Sequence, residues 1–96
     1  MGSINGIELT WTTAGTPAEL HPLLRALGEE YPIRKDAARH GLAITFYHES
    51  SREGFSIERR AGTAVIRYGR LSHAGRALGT LLAGLVGEGA TVADGP

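Results

Sequence analysis

The side chains able to do chemistry in this chain are few and scattered. The histidines are His21, His40, His48 and His73. They form no H-E-x-x-H and no other close metal-ligand spacing, and each falls in a different segment. Surface or boundary histidine is the expected role. Ser72-His73 has the composition of a nucleophile beside a base. Neighbouring positions on a helix point about 100° apart, however, so Ser72 reads as a helix N-cap. Paired acids occur at Glu29-Glu30 and at Glu49 with Glu53. General acid–base work needs a cleft that perturbs such groups, and a small two-layer domain has little room for one. Solvated charge is the expectation for both pairs. With no cysteine there is neither a disulfide nor a thiolate metal site. The "GRLSHAGRALG" stretch lacks the strand and tight glycine turn that cradle phosphate. No metal or cofactor is expected.

Arg52, Arg59, Arg60, Arg67, Arg70 and Arg76 crowd the second half. A nucleic-acid surface would interleave such charges with aromatic rings, and only Tyr47 lies among them on a polar strand face. The ten basic residues are balanced by ten acidic ones, so net charge gives no pull toward nucleic acid or an anionic membrane. No apolar run approaches the roughly 18–20 residues of a bilayer span. "MGSING" has neither a charged n-region nor an apolar h-region, so no signal peptide is expected there. The compartment stays open between secreted, periplasmic and cytoplasmic.

The elements that must position these residues follow from periodicity. "GIELTWTT" alternates, with Ile7, Leu9 and Trp11 on one side and Glu8, Thr10 and Thr12 on the other, which predicts a half-buried strand. Thr16, Pro17 and Glu19 fit the N-cap, N1 and N3 positions of a capping box. Leu20, Leu23, Leu24, Leu27 and Tyr31 then share a helical face. Pro22 must either kink that helix or start it. Residues 33–41 are polar and unpatterned and read as a surface connection. "LAITFYH" alternates again.

A two-residue turn at Ala61-Gly62 pairs Arg60 with Thr63, Ile57 with Ile66 and Phe55 with Tyr68. That register collects Phe55, Ile57, Ala64, Ile66 and Tyr68 on one face and polar residues on the other. Glu58 then lies near Arg60 and Arg67, as in cross-strand charge pairing. A last helix begins near Leu71–Ser72, with Leu71, Ala74, Leu78, Leu81, Leu82 and Leu85 as its core stripe. Residues 88–96 show no pattern and read as a loose tail.

The order is β-α-β-β-β-α. It predicts an α+β, two-layer α/β sandwich, a four-stranded mixed sheet with two helices on one face. The 96 residues make one domain, ordered from about 5 to 87. The first strand and the strand after the first helix are expected to be parallel. The other sheet face, with Glu8, Thr10, Thr12, Thr45, Ser56, Glu58, Arg60 and Arg67, is expected to meet water.

"EGFSIERRAGTAVIRYGRLSHAGRALGTLL", residues 53–82, resembles the end of the N-terminal α/β domain of family 20 glycoside hydrolases, the β-N-acetylhexosaminidases. Related domains precede the catalytic barrels of α-glucuronidases and other exo-glycosidases. Glu53, Gly54, Phe55 and Ile57 match the family's "EGY-x-L-x-V" strand, and Val65 and Ile66 its next strand. Arg76, Ala77, Leu78, Thr80 and Leu81 match the helix, with Ala77 replacing a family glycine. The resemblance implies a non-catalytic accessory domain that packs its helices against a separate (β/α)₈ barrel. The family's catalytic Asp-Glu pair lies in that barrel of roughly 250 residues, so no catalytic residue is carried onto this chain. The chain alone is therefore expected to be no enzyme, its parent an exo-β-N-acetylhexosaminidase-like hydrolase.

The last helix then poses a question about partners. Gly75, Gly79, Ala83 and Val86 line up beside its leucines and make a candidate interface for the barrel or, in isolation, for a second copy. The rival is a standalone module that binds a protein or glycan on the polar sheet face around Tyr47, Glu58, Arg60 and Arg67. Neither reading names a sugar or a linkage.

Overall fold

A computed structural model describes residues 8–35 and 42–94. Ile7, His40 and the last two residues lie outside them. The strands are β1 (Leu9–Trp11), β2 (Ile33–Lys35), β3 (Leu42–His48), β4 (Phe55–Arg60), β5 (Thr63–Tyr68) and β6 (Thr91–Asp94). The helices are α1 (His21–Leu27), entered through a 3₁₀ turn at Ala18–Leu20, and α2 (Leu71–Leu82). One mixed sheet runs in the order β2-β1-β3-β5-β4-β6. Strand β1 is parallel to both β2 and β3, and β3 is parallel to β5. Strand β4 runs antiparallel to both of its neighbours, β5 and β6.

The class is α+β with a mixed sheet and two helices, but the sheet has six strands where four were expected. Residues 33–35 pair with β1 instead of forming a surface connection, and Ile33 is buried. Residues 91–94 pair with β4 instead of hanging loose. Both additions are edge strands of three or four residues, too short to print a period of two.

The hairpin has the expected register, with Phe55 opposite Tyr68, Ile57 opposite Ile66 and Arg60 opposite Thr63. Ala61 carries the turn at a φ of 37°, a left-handed geometry that matches the twist of paired strands. Ile57 and Ile66 are fully buried. They join Leu9, Trp11, Ile44, Phe46, Leu20, Leu24, Ala74 and Leu78 in one core, so both helices cover the same side of the sheet.

The start of α1 differs from the capping box. Pro17 caps the 3₁₀ turn without a side-chain bond, and the Thr16 hydroxyl is buried with no hydrogen-bond partner among the described residues. Pro22 sits in the first turn of α1, so the proline starts the helix and does not kink it. Glu19, freed from capping, accepts a 2.9 Å bond from the Tyr68 hydroxyl. Helix α1 ends at Leu27, one turn before Tyr31, which is therefore exposed and no part of the helical face. Gly28 closes it. A Cβ there would stand 3.0 Å from the Ile33 carbonyl, so glycine is what lets β2 return so tightly.

Helix α2 begins at Leu71, but its N-cap is Arg70, not Ser72. The Arg70 backbone N–H donates to His73 Nδ1 at 3.3 Å. Its buried stripe is Ala74, Ala77, Leu78 and Leu81, while Leu71 and Leu85 are exposed. The helix stops at Leu82, and Gly84, with a φ of 75°, redirects the chain so that Val86 turns into the core.

Candidate functional site

Two surfaces were singled out by sequence, and the fold treats them differently. On the open sheet face, Tyr47 is about half exposed, and the Arg67 guanidinium lies over its ring, 5.0 Å from the centroid. Arg67 also donates to Glu49 at 3.3 Å, and Arg52 donates to the same carboxylate at 2.7 Å. Glu49 is thus no solvated acid beside Glu53. The Arg52 hydrogen bond, aided by the charge of both arginines, holds its carboxyl below the ordinary carboxylate range. Glu58 pairs with Arg60 along its own strand at 2.6 Å, while Arg67 is drawn to Glu49 instead of to Glu58. Glu8 bonds Arg34 at 2.6 Å.

These side chains lie across the sheet, so Glu58, Arg67, Thr45 and Ser56 are half-buried where full exposure was expected. Thr10 is buried, since β1 sits between two strands with Arg34 and Ala43 beside it in register. Arg60 and Thr12 do face water. The candidate residues of this face are brought together, but chiefly onto one another.

A second cluster forms where β1, β3 and β5 end. His48 Nε2 donates to the Gly69 carbonyl at 3.0 Å, and its ring sits 5.1 Å from that of Tyr68. His21 lies 5.1 Å from Trp11, with Nε2 donating to the Thr16 carbonyl at 3.0 Å. Burial, then the Glu19 carboxylate, push the Tyr68 phenol well above its usual range. Sequence reasoning missed this tie because Glu19 was committed to a cap. His21, His48 and His73 serve as packing and hydrogen-bonding groups. Among the described residues no group of three His, Asp or Glu is placed to hold a metal ion.

The outer face of α2 is the opposite case. A Cβ added at Gly75 or Gly79 would meet nothing within 4 Å, and Ala83 is exposed. These three stay together on the surface, but Val86 does not belong with them. The wheel that placed it there ran past the end of the helix. Beside Gly79 opens a groove of about 440 Å³ between α2 and the β6 end of the sheet. Arg76, Gly79 and Thr80 form the helical wall, Leu85 one end, and Phe55, Val92 and Ala93 the sheet wall. Thr80 spends its hydroxyl inside the helix, donating to the Arg76 carbonyl at 2.9 Å. Leu85, 71% exposed, overhangs the opening. Arg59 fixes this end by donating from Nη1 to the Val86 carbonyl at 2.8 Å. The groove is apolar in its floor, cationic on one side, and bounded by a sheet edge on the other.

No protein-family model, no curated protein and no solved structure matches this chain.

Proposed function

We propose that the chain is a non-catalytic accessory domain, and that the α2 face with its groove docks onto a partner. The partner we infer is the catalytic (β/α)₈ barrel of the same polypeptide, in a β-N-acetylhexosaminidase-like glycoside hydrolase. The observation that carries the reading is the open space over Gly75 and Gly79 beside the groove capped by Leu85. An exposed helix face without side chains lets another backbone approach closely, and an apolar floor supplies area to bury. The segment that resembles the family, residues 53–82, is the hairpin and helix that build this face.

The polar sheet face supports its rival less well. Its charges are already paired, and Arg67 occupies one side of the Tyr47 ring. A glycan or protein would have to displace those contacts.

The test is binding in trans to a family 20 barrel stripped of its own N-terminal domain. The expected result is co-elution and a raised melting temperature of the barrel, both lost in Gly79→Arg. An undiminished complex with Gly79→Arg would overturn the docking face. The chain alone is expected to release no chromophore from a p-nitrophenyl β-N-acetylglucosaminide. Turnover that survives repurification and disappears on mutating one Asp or Glu would overturn the accessory role. Without a barrel, the same face is where two copies would meet, which light scattering over a concentration series reads. A strictly monomeric chain at high concentration would remove that part of the proposal.

A further inference from the structure

Strand β6 ends the sheet beside the groove, and its pairing with β4 fixes which backbone groups turn away. The Arg59 N–H donates to the Ala90 carbonyl at 3.0 Å, and the Gly89 N–H to the Arg59 carbonyl at 2.8 Å. Along an antiparallel ladder, residues alternate between bonding the partner strand and pointing both polar groups the other way. Counted from Ala90, Val92 bonds inward opposite Ile57. Thr91 and Ala93 therefore turn their N–H and C=O groups to the outer edge. Such an edge is a template for one more strand. The groove lies on the helix side of this edge, where an added strand would drop every second side chain.

Resting on the reading of the groove as a docking surface, we propose that β6 is a strand-addition site for an extended segment of a protein partner. Its backbone pairs with Thr91 and Ala93. One apolar side chain enters the groove over Gly79. A helix as occupant would leave the Thr91 and Ala93 groups to water. An extended segment satisfies them and reaches the groove with the same residues, as peptides do when they dock between a sheet edge and a helix.

The probe is a capped hexapeptide, Thr-Val-Thr-Asp-Thr-Thr, titrated into the full chain at low protein concentration and followed by amide NMR. Binding is expected with slowed hydrogen exchange at Thr91 and Ala93. Methylation of alternate peptide nitrogens should abolish it. Ala93→Pro removes an outward N–H without touching the bonds to β4, and should weaken binding about tenfold. Gly79→Leu fills the groove and should do the same. No binding at millimolar peptide, or binding indifferent to backbone methylation and to Ala93→Pro, would overturn the proposal. A barrel that binds the Ala93→Pro variant at full strength, with no peptide binding to the wild type, sinks strand addition alone. Peptide binding without barrel binding sinks only the choice of partner.

Discussion

The open sheet face and the outer face of α2 are the two large surfaces of this fold, and they differ in how their needs are met. On the sheet, Glu49 holds Arg52 and Arg67, Glu58 holds Arg60, and Arg67 covers Tyr47. On the helix, Gly75 and Gly79 face open space beside a groove. A surface whose charges are matched internally gains little from a partner, since binding must first undo those contacts. A surface with no side chains to displace begins without that cost. Charge density and aromatic content, the usual signs of a binding face, point to the sheet, whereas the docking face proposed here is the helix.

The comparison breaks first if the shared core does not carry the stability. Ile57→Asp places an unpaired carboxylate at a fully buried position. The cost is several kcal/mol against a total of about 5–15. Loss of the cooperative urea transition is the expected outcome.

Tyr68→Phe is next. It leaves the packing and removes a part-buried hydrogen bond to a carboxylate, for a loss of about 1.5–3 kcal/mol in the same melts. The phenol's raised folded value gives the sign of its pH dependence. The neutral form is favoured by folding, so its contribution is complete below about pH 10, the unfolded value, and is lost as pH climbs through the higher folded one. In an ultraviolet titration, one of the three tyrosines should ionise well after the other two.

The helix face sharpens the comparison by a change of sign. Gly75→Ala and Gly79→Ala add a methyl where nothing stands within 4 Å. Each should therefore stabilise by about 0.5–1 kcal/mol through backbone entropy. Destabilisation would mean that the face is already packed.

The smallest effect belongs to the sheet. Glu58→Ala removes an exposed pair with Arg60 and should cost below about 1 kcal/mol. A larger loss would show that the sheet face is a rigid network and not a set of mutually screened charges.

What the sequence made legible was whatever repeats with a period. The alternation of residues 55–60 and 63–68 around Ala61-Gly62 fixed both faces of the hairpin and its register. The leucines located the start of α2 near Leu71, although its N-cap is Arg70 and not Ser72. Features that depend on an ending were not legible. Val86 fell on the helix wheel only because the wheel was carried past Leu82, where Gly84 turns the chain away. Tyr31 joined the α1 stripe only because the wheel was carried past Leu27. Strands β2 and β6 are stretches too short for periodicity, and their pairing is decided by what lies beside them in space. The candidate site was half visible. The small residues could be read from composition, but the groove needs β6, and β6 could not be seen.

Strand β4, antiparallel to both of its neighbours, also sets an order in time. Through it the β4–β5 hairpin and α2 join segments adjacent along the chain, whereas the parallel pairings of β1, β2 and β3, and the return of β6 to β4, close longer loops. Local closures cost less entropy and are made sooner. Residues 55–82 should therefore assemble first and offer the edge of β5 as a template on which β3 and then β1 are laid. Truncations at Ile66 would slow refolding, while truncations at Leu9 would chiefly speed unfolding, which stopped-flow kinetics on Ile66→Val and Leu9→Ala would separate. The groove, which needs β6, would then close only after the hairpin and the helix that wall it exist.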